Sequence, residues 1–215
     1  MNAVIFDMDG VLIDSEPLHY ASDKELLKEL HIAVPDNYLD KFVGTTNPFM
    51  WSQILKEFEL QNNVNEILHK QLELKFKLLE ESDYVPIHGI PELLHNLANH
   101  NIPMAVASSS SKVFIEAVLK KLTIIDYFKA YISGEEIEKS KPEPDIFLKT
   151  ADILQVNPKE CIVIEDSKNG VIAAKRAGMK CAGYINPNSG NQDLSEANII
   201  IKSFTELTVE KLLSL

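Results

Sequence analysis

The chain has 215 residues, of which 45% are hydrophobic and 25% are charged, proportions typical of a folded soluble protein rather than a disordered one. Its formal net charge of -11 at pH 7 disfavours nucleic acids and anionic membranes as partners. No apolar run approaches the roughly 20 residues of a membrane span.

Two features of the sequence concern its compartment. The N-terminus has no basic stretch before its first apolar run, which predicts that there is no signal peptide. Cys161 and Cys181 lie far apart and form no CxxC motif, so free thiols are expected. The sequence therefore predicts a cytoplasmic protein, and we also expect a monomer.

The first predicted strand ends in acidic residues. Residues 3–6 form a short apolar run, and Asp7 and Asp9 follow at once, with Gly10 directly after them. Two carboxylates this close repel each other, so they indicate a cation nearby. Gly10 would let the backbone turn sharply at this point.

Residues 15–82 contain no good strand candidate. The segment 15–30 and the apolar positions between Leu68 and Leu79 have helical spacing instead. An insertion of roughly 65 residues is too long for a loop. We therefore predict a helical cap domain at 15–82, inserted after the first strand and lying over the carboxyl ends of the strands. Three apolar residues of this segment are expected in its core: Phe49, Met50 and Trp51.

From residue 83 onward, short apolar runs alternate with helical patterns. The strand candidates of the whole chain are 3–6, 102–107, 130–133, 161–165, 181–185 and 198–201. These runs lack polar alternation, as expected for strands that are buried on both faces. The pattern predicts an α/β fold, a doubly wound, Rossmann-like parallel sheet with helices on both faces, formed by residues 1–14 and 83–215. The segment 186–193 is predicted to be a flexible loop.

Polar side chains follow four of the predicted strands. In chain order they are Asp7 and Asp9, then Ser108, then Lys141, then Glu165 and Asp166. Ligands of parallel sheets bind at the carboxyl ends of the strands, where these side chains should meet. Carboxylates suit Mg²⁺, while Lys141 and Ser108 offer donors to a phosphate. Asp7 could attack phosphorus, and Asp9 could transfer a proton.

The stretches "DMDGV", "VASSS", "KSKPEPDIF" and "VIEDSKNGV" resemble the four motifs of the haloacid dehalogenase superfamily. "DGVLIDSEPLH" and the helical insertion are similar to its beta-phosphoglucomutase-like subgroup, which includes sugar-phosphate phosphatases. This resemblance implies that Asp7 is the nucleophile and Asp9 the general acid/base. It also implies phosphoryl binding by Ser108, Ser109 and Lys141. The Mg²⁺ ligands that it implies are Asp7, Asp9, Glu165 and Asp166.

The same resemblance leaves two reactions open, because phosphatases and mutases of the subgroup both form a phospho-aspartate. The substrate positions of the inserted domain would be Glu16, His19, Thr45 and Asn47. The mutases carry an arginine where Asn47 stands, and Glu16 in "DSEP" is more similar to the phosphatases. We predict a Mg²⁺-dependent phosphatase that hydrolyses small phosphorylated metabolites, with sugar or polyol phosphates favoured. The alternative is a beta-phosphoglucomutase.

Two non-enzymatic alternatives also have to be considered. A phospho-receiver domain would combine acids, a hydroxyl and a lysine at strand ends, but its phosphorylated aspartate follows a middle strand. A non-catalytic sugar-phosphate binding protein is disfavoured because binding alone does not need the Asp7–Asp9 pair.

Overall fold

The computed structural model describes residues 1–42 and 46–215. It divides into two compact units: Met1–Glu16 together with Tyr84–Leu215, and Pro17–Asp83. The first is called the sheet unit below, and the second is called the helical unit.

Six parallel strands form the sheet in the described part of the sheet unit. They are β1 (Ala3–Phe6), β2 (Met104–Ser108), β3 (Ala130–Ser133), β4 (Cys161–Glu165), β5 (Lys180–Tyr184) and β6 (Ile199–Ile201). Their order across the sheet is β3-β2-β1-β4-β5-β6. Strand β1 lies between β2 and β4, with Ile5 opposite both Ala105 and Val163. The chain builds outward on one side of β1 and then on the other, which confirms the doubly wound fold.

The α-helices of the described chain alternate with these strands only after the insertion. In chain order they are α1 (Glu16–Glu29), α2 (Asn47–Glu57), α3 (Val64–Glu81), α4 (Ile90–Asn99), α5 (Lys112–Lys121), α6 (Asp145–Leu154), α7 (Lys168–Arg176) and α8 (Val209–Leu213). Helices α1 to α3 therefore fall between β1 and β2, as the helical spacing predicts.

Both faces of the sheet are buried. On one face, Ile5 and Val163 pack in a cluster with Phe147 of α6 and Val171 of α7. Successive side chains of a strand point to opposite faces, so Phe6 faces the other way, and it is also fully buried. This double burial explains why the strands have apolar sequences without alternation.

The helical unit has its own hydrophobic core. Trp51 and Met50 are buried in it together with residues of α1 and α3, as predicted. The prediction for Phe49 is wrong, since its side chain is 52% exposed. Residues three or four positions apart share a helix face, so Phe49 lies on the same side of α2 as Gln53 and Lys56. Both of these residues are exposed as well.

The two cysteines are free and buried in β4 and β5. Burial raises the pKa of the Cys161 thiol to about 11 and also raises the pKa of Cys181. Both thiols therefore remain protonated at neutral pH and serve as packing groups. Among the helices of the described residues, none has the length and apolar character needed to cross a membrane.

Candidate active site

A buried ammonium group links the ends of three strands. Asp7 follows β1 and is held by a hydrogen bond from its amide to the carbonyl of Ile164, at 2.9 Å. Lys141 Nζ donates to Asp7 Oδ1 at 2.5 Å, to Glu165 Oε1 at 2.7 Å and to the carbonyl oxygen of Ala107 at 3.1 Å. Residues far apart in the sequence are thus joined at the carboxyl edge of the sheet.

The acidic side chains around Lys141 form a compact group. Asp7, Glu165 and Asp166 are all buried, and each has a carboxylate oxygen within 4.8 Å of one on the other two. Glu165 is held by the start of α7, because its Oε2 accepts from the amides of Asp166 and Ser167 at 3.0 Å and from Ser167 Oγ at 2.9 Å. Unpaired amides at a helix N-terminus favour a carboxylate at this point.

One ammonium does not neutralise this group. Burial raises the pKa of Asp7 well above its usual range; Lys141 opposes this, and the neighbouring carboxylates add to it. Burial and Glu165 raise the pKa of Asp166 to about 7. Burial lowers the pKa of Lys141, but Asp7 and Glu165 more than compensate, so it is raised overall. Three oxygen-only ligands with surplus negative charge fit a hard divalent cation such as Mg²⁺.

The Asp9 carboxylate is held by hydroxyls. Its Oδ1 accepts from Ser15 Oγ at 2.6 Å, and its Oδ2 accepts from Ser110 Oγ at 2.8 Å and from Ser108 Oγ at 3.1 Å. The side chain of Asp9 is therefore not among the three clustered carboxylates, and its role as a metal ligand stays a prediction. A carboxylate fixed by three hydroxyls is well placed to transfer a proton.

The serines after β2 differ in environment. Ser108 is fully buried, and its Oγ accepts from the amide of Ser110 at 3.0 Å in addition to donating to Asp9. Ser109 is exposed. Sequence reasoning missed Ser110 as a partner of Asp9, although its place in the "SSSS" run could have suggested it. It also missed Ser15 as a partner of Asp9.

Gly10 allows the two acidic segments to approach each other. Its φ is +79°, a conformation that favours glycine, and a Cβ there would overlap with Asp166 Oδ2 and lie 2.7 Å from Asp166 Cγ. The glycine thus provides the space in which the Asp166 carboxylate lies.

The segment 186–193 is a loop, as predicted, but its polar side chains reach the site. Asn186 Nδ2 donates to the carbonyl of Gly10 at 2.9 Å, and Asn188 Nδ2 donates to Asp14 Oδ2 at 2.5 Å. Ser189 Oγ donates to Asp166 Oδ2. Its composition predicts only a loop, and nothing in the sequence indicates these partners.

The predicted substrate residues occupy varied positions. Glu16 is exposed at the start of α1, His19 is half-buried on α1, and Asn47 is exposed at the start of α2. Thr45 lies outside the described residues. The structure does not test their roles.

The helical unit also contains a buried polar group. Asp23 accepts a hydrogen bond from Gln71 Nε2, and both side chains are buried together with Lys75. Burial raises the pKa of Asp23, whereas the bond from Gln71 and the charges of Lys75 and His19 lower it. Sequence reasoning did not identify this group, whose members lie on two helices.

The whole sequence contains a single arginine, Arg176. It lies in α7 of the sheet unit, where it donates to Glu143 Oε1 at 2.6 Å and to the carbonyl of Pro142 at 3.2 Å. Residues 15–82 therefore offer no guanidinium group to any ligand.

Comparisons with known proteins agree with this architecture. The sequence profile described as haloacid dehalogenase-like hydrolase matches residues 4–184. A beta-phosphoglucomutase of Bacillus subtilis is 32% identical over 99% of this chain and 94% of its own length. Hexitol phosphatase B of Escherichia coli O157:H7 is 31% identical over 98% of this chain and 96% of its own length. The crystal structure of CbbY from Rhodobacter sphaeroides in complex with phosphate is similar, with a TM-score of 0.87 and 25% identity over 99% of each chain.

Proposed function

The chain belongs to the haloacid dehalogenase-like hydrolases and is an enzyme that acts on phosphate esters, and we propose that it is a Mg²⁺-dependent phosphatase of small sugar or polyol phosphates. The observation that carries this proposal is the buried contact of Asp7 with Lys141 beside a separately held Asp9. Family membership sets aside the receiver-domain and binding-protein alternatives.

In the proposed first step, a carboxylate oxygen of Asp7 attacks the phosphorus of the substrate, and the ester P–O bond breaks. Lys141, Ser108 and Ser109 bind the phosphoryl oxygens, and the ammonium offsets their repulsion with Asp7. Asp9 donates its proton to the leaving alcohol oxygen. The products of this step are the free alcohol and a phospho-aspartate on Asp7.

In the proposed second step, a water molecule attacks the phosphorus of the phospho-aspartate. Asp9, now ionised, accepts a proton from that water, and the bond between the Asp7 oxygen and phosphorus breaks. Inorganic phosphate leaves and Asp7 is restored. The hydroxyls of Ser15 and Ser110 on the Asp9 carboxylate keep it in place through both proton transfers.

Mg²⁺ would be held by Asp7, Glu165 and Asp166, with Asp9 as a fourth proposed ligand. When bound, the ion neutralises negative charge shared by the acids and the phosphoryl group. The raised pKa values of Asp7 and Asp166 are consistent with this proposal, because they reflect burial first and neighbouring carboxylates second, and a bound cation would offset both effects.

Water is favoured over a sugar hydroxyl as the acceptor because of the missing arginine. A mutase must hold a sugar bisphosphate by two phosphates, and a guanidinium forms the bidentate contact that suits the second one. Residues 15–82 have no arginine, and Asn47 can offer only an amide. We propose that Glu16, His19, Thr45 and Asn47 select among small monophosphates.

Phosphate release from p-nitrophenyl phosphate and a panel of hexose and hexitol phosphates, with and without Mg²⁺, tests the proposal. We expect Mg²⁺-dependent release that chelation abolishes, and little isomerisation of beta-glucose 1-phosphate. Faster formation of glucose 6-phosphate than of inorganic phosphate would favour the mutase. This activity is the second candidate because a relative in Bacillus subtilis is named a beta-phosphoglucomutase.

A further inference from the structure

The loop that follows β5 contains an unusual concentration of amide and hydroxyl side chains. Residues 186–192, called the amide loop below, have the sequence "NPNSGNQ". Neither the proposed nucleophile nor the proposed acid/base lies in it. The bonds made by this loop nevertheless converge on Gly10 and Asp166.

Ser189 lies directly against Asp166. Its Oγ donates a hydrogen bond to Asp166 Oδ2, and the same Oγ is only 2.9 Å from the position that a Cβ on Gly10 would occupy. Asp166 Oδ2 is thus enclosed by Gly10 and by the serine hydroxyl. Asp166 is 5% exposed, so this carboxylate has little freedom to turn.

Ser189 is itself fixed by bonds within and beyond the amide loop. Gln192 Nε2 donates to the carbonyl of Ser189 at 2.9 Å, and Gln192 Oε1 accepts from the amide of Lys168, the first residue of α7, at 3.1 Å. The loop is therefore tied to the same helix start that holds Glu165.

The beginning of the amide loop is anchored on the other side of the site. Asn186 is 5% exposed, and its Nδ2 donates to the carbonyl of Gly10 at 2.9 Å. Its Oδ1 accepts from the amide of Asn188 at 2.8 Å. The position of Ser189 is consequently set from the β1 end through Asn186 and from the α7 start through Gln192.

We propose that Ser189 is a positioning residue that holds Asp166 in the orientation needed to bind the divalent cation, with Gln192 holding Ser189 in turn. This inference rests on the proposed Mg²⁺ site. Mg²⁺ demands near-ideal octahedral geometry, so a ligand that can rotate binds it less well. Hydrogen bonds to metal ligands typically contribute 10- to 100-fold, in round terms, to metal affinity.

The test is calorimetric titration of the chelator-stripped full chain with Mg²⁺ alone, which needs no substrate. Ser189→Ala should weaken Mg²⁺ binding by roughly 10- to 100-fold. Ser189→Thr keeps the hydroxyl and should bind Mg²⁺ nearly as well as the unmodified protein. Asn191→Ala is the matched control, since Asn191 is exposed in the same loop. Gln192→Ala should weaken binding by less than Ser189→Ala and provides a second reading if that variant does not fold.

A merely structural role for Ser189 would lower the melting temperature of the metal-free protein and leave Mg²⁺ affinity unchanged in the folded fraction. That result, or unchanged affinity in both Ser189→Ala and Gln192→Ala, would overturn the inference while leaving the metal site in place. Ser189→Thr binding as weakly as Ser189→Ala would also overturn it. If the unmodified protein binds no Mg²⁺, the proposed metal site fails and the inference fails with it.

Discussion

The two units of the molecule differ in the balance of buried acidic and basic side chains. In the sheet unit, Asp7, Glu165 and Asp166 surround the single ammonium of Lys141. In the described residues of the helical unit, one acidic and one basic side chain are buried, Asp23 and Lys75.

This difference separates a reactive site from a structural one. Surplus buried negative charge is unfavourable by itself, so the sheet unit retains a group that a divalent cation can neutralise. Balanced charge in the helical unit needs nothing further. Changes in the sheet unit should therefore alter the rate with every substrate, whereas changes in the helical unit should alter stability or the choice of substrate.

The largest effect is expected from Asp7→Asn, which removes the proposed nucleophile while keeping its size. Turnover should fall by at least about 10⁴-fold, because an amide cannot form the phospho-enzyme. Phosphate-release kinetics and acid-stable labelling from a radioactive substrate would measure this. An Asn variant that still acquires covalent phosphate would remove Asp7 from its role.

Asp9→Asn should slow turnover by roughly 10²- to 10⁴-fold, the usual share of general acid/base catalysis. The amide can keep hydrogen bonds to the surrounding serines but cannot carry the proton. Mg²⁺ affinity should be titrated in parallel, so that a lost metal ligand is distinguished from a lost acid. Near-normal turnover would show that another group moves the proton.

Lys141→Ala should lower kcat/KM by about 10²- to 10³-fold and by a similar factor for every substrate, because the ammonium acts on the transferred group. Lys139→Ala is a suitable control, as Lys139 is an exposed lysine of the same segment. A loss confined to one substrate would show that Lys141 selects substrates. The sheet unit would then not differ from the helical unit in affecting all substrates alike.

In the helical unit, Asp23→Ala should destabilise the fold by about 1–3 kcal/mol, because it leaves the buried amide of Gln71 without its acceptor. Urea unfolding measures this, and adding Gln71→Leu to the variant should restore part of the loss. A change below about 0.5 kcal/mol would indicate that the contact between Asp23 and Gln71 does not stabilise the fold.

The smallest effect is expected from Asn47→Arg. An added guanidinium at this exposed position should improve binding of a sugar bisphosphate by about fivefold, since exposed ion pairs contribute up to about 1 kcal/mol. Gln53→Arg adds the same charge elsewhere on α2 and is the control. Equal gains in affinity in both variants would mean that only net charge matters and that position 47 does not contact the second phosphate.

The sequence by itself determined the sheet and the acidic strand ends. Strands buried on both faces require apolar runs such as "CIVIE", which are visible without any structure. Asp7 follows β1, Ser108 ends β2, and Glu165 ends β4, so their meeting follows from parallel strand direction alone.

Only the tertiary structure decided which polar groups hold the acids. Asn186 bonds to Gly10 across 176 residues of sequence, and Ser108 reaches Asp9 across 99. It also surrounded the Asp9 carboxylate with the hydroxyls of three serines, and it placed Phe49 at the surface. Such outcomes depend on side-chain direction and on segments brought together by packing, and neither is encoded in a local pattern of residue types.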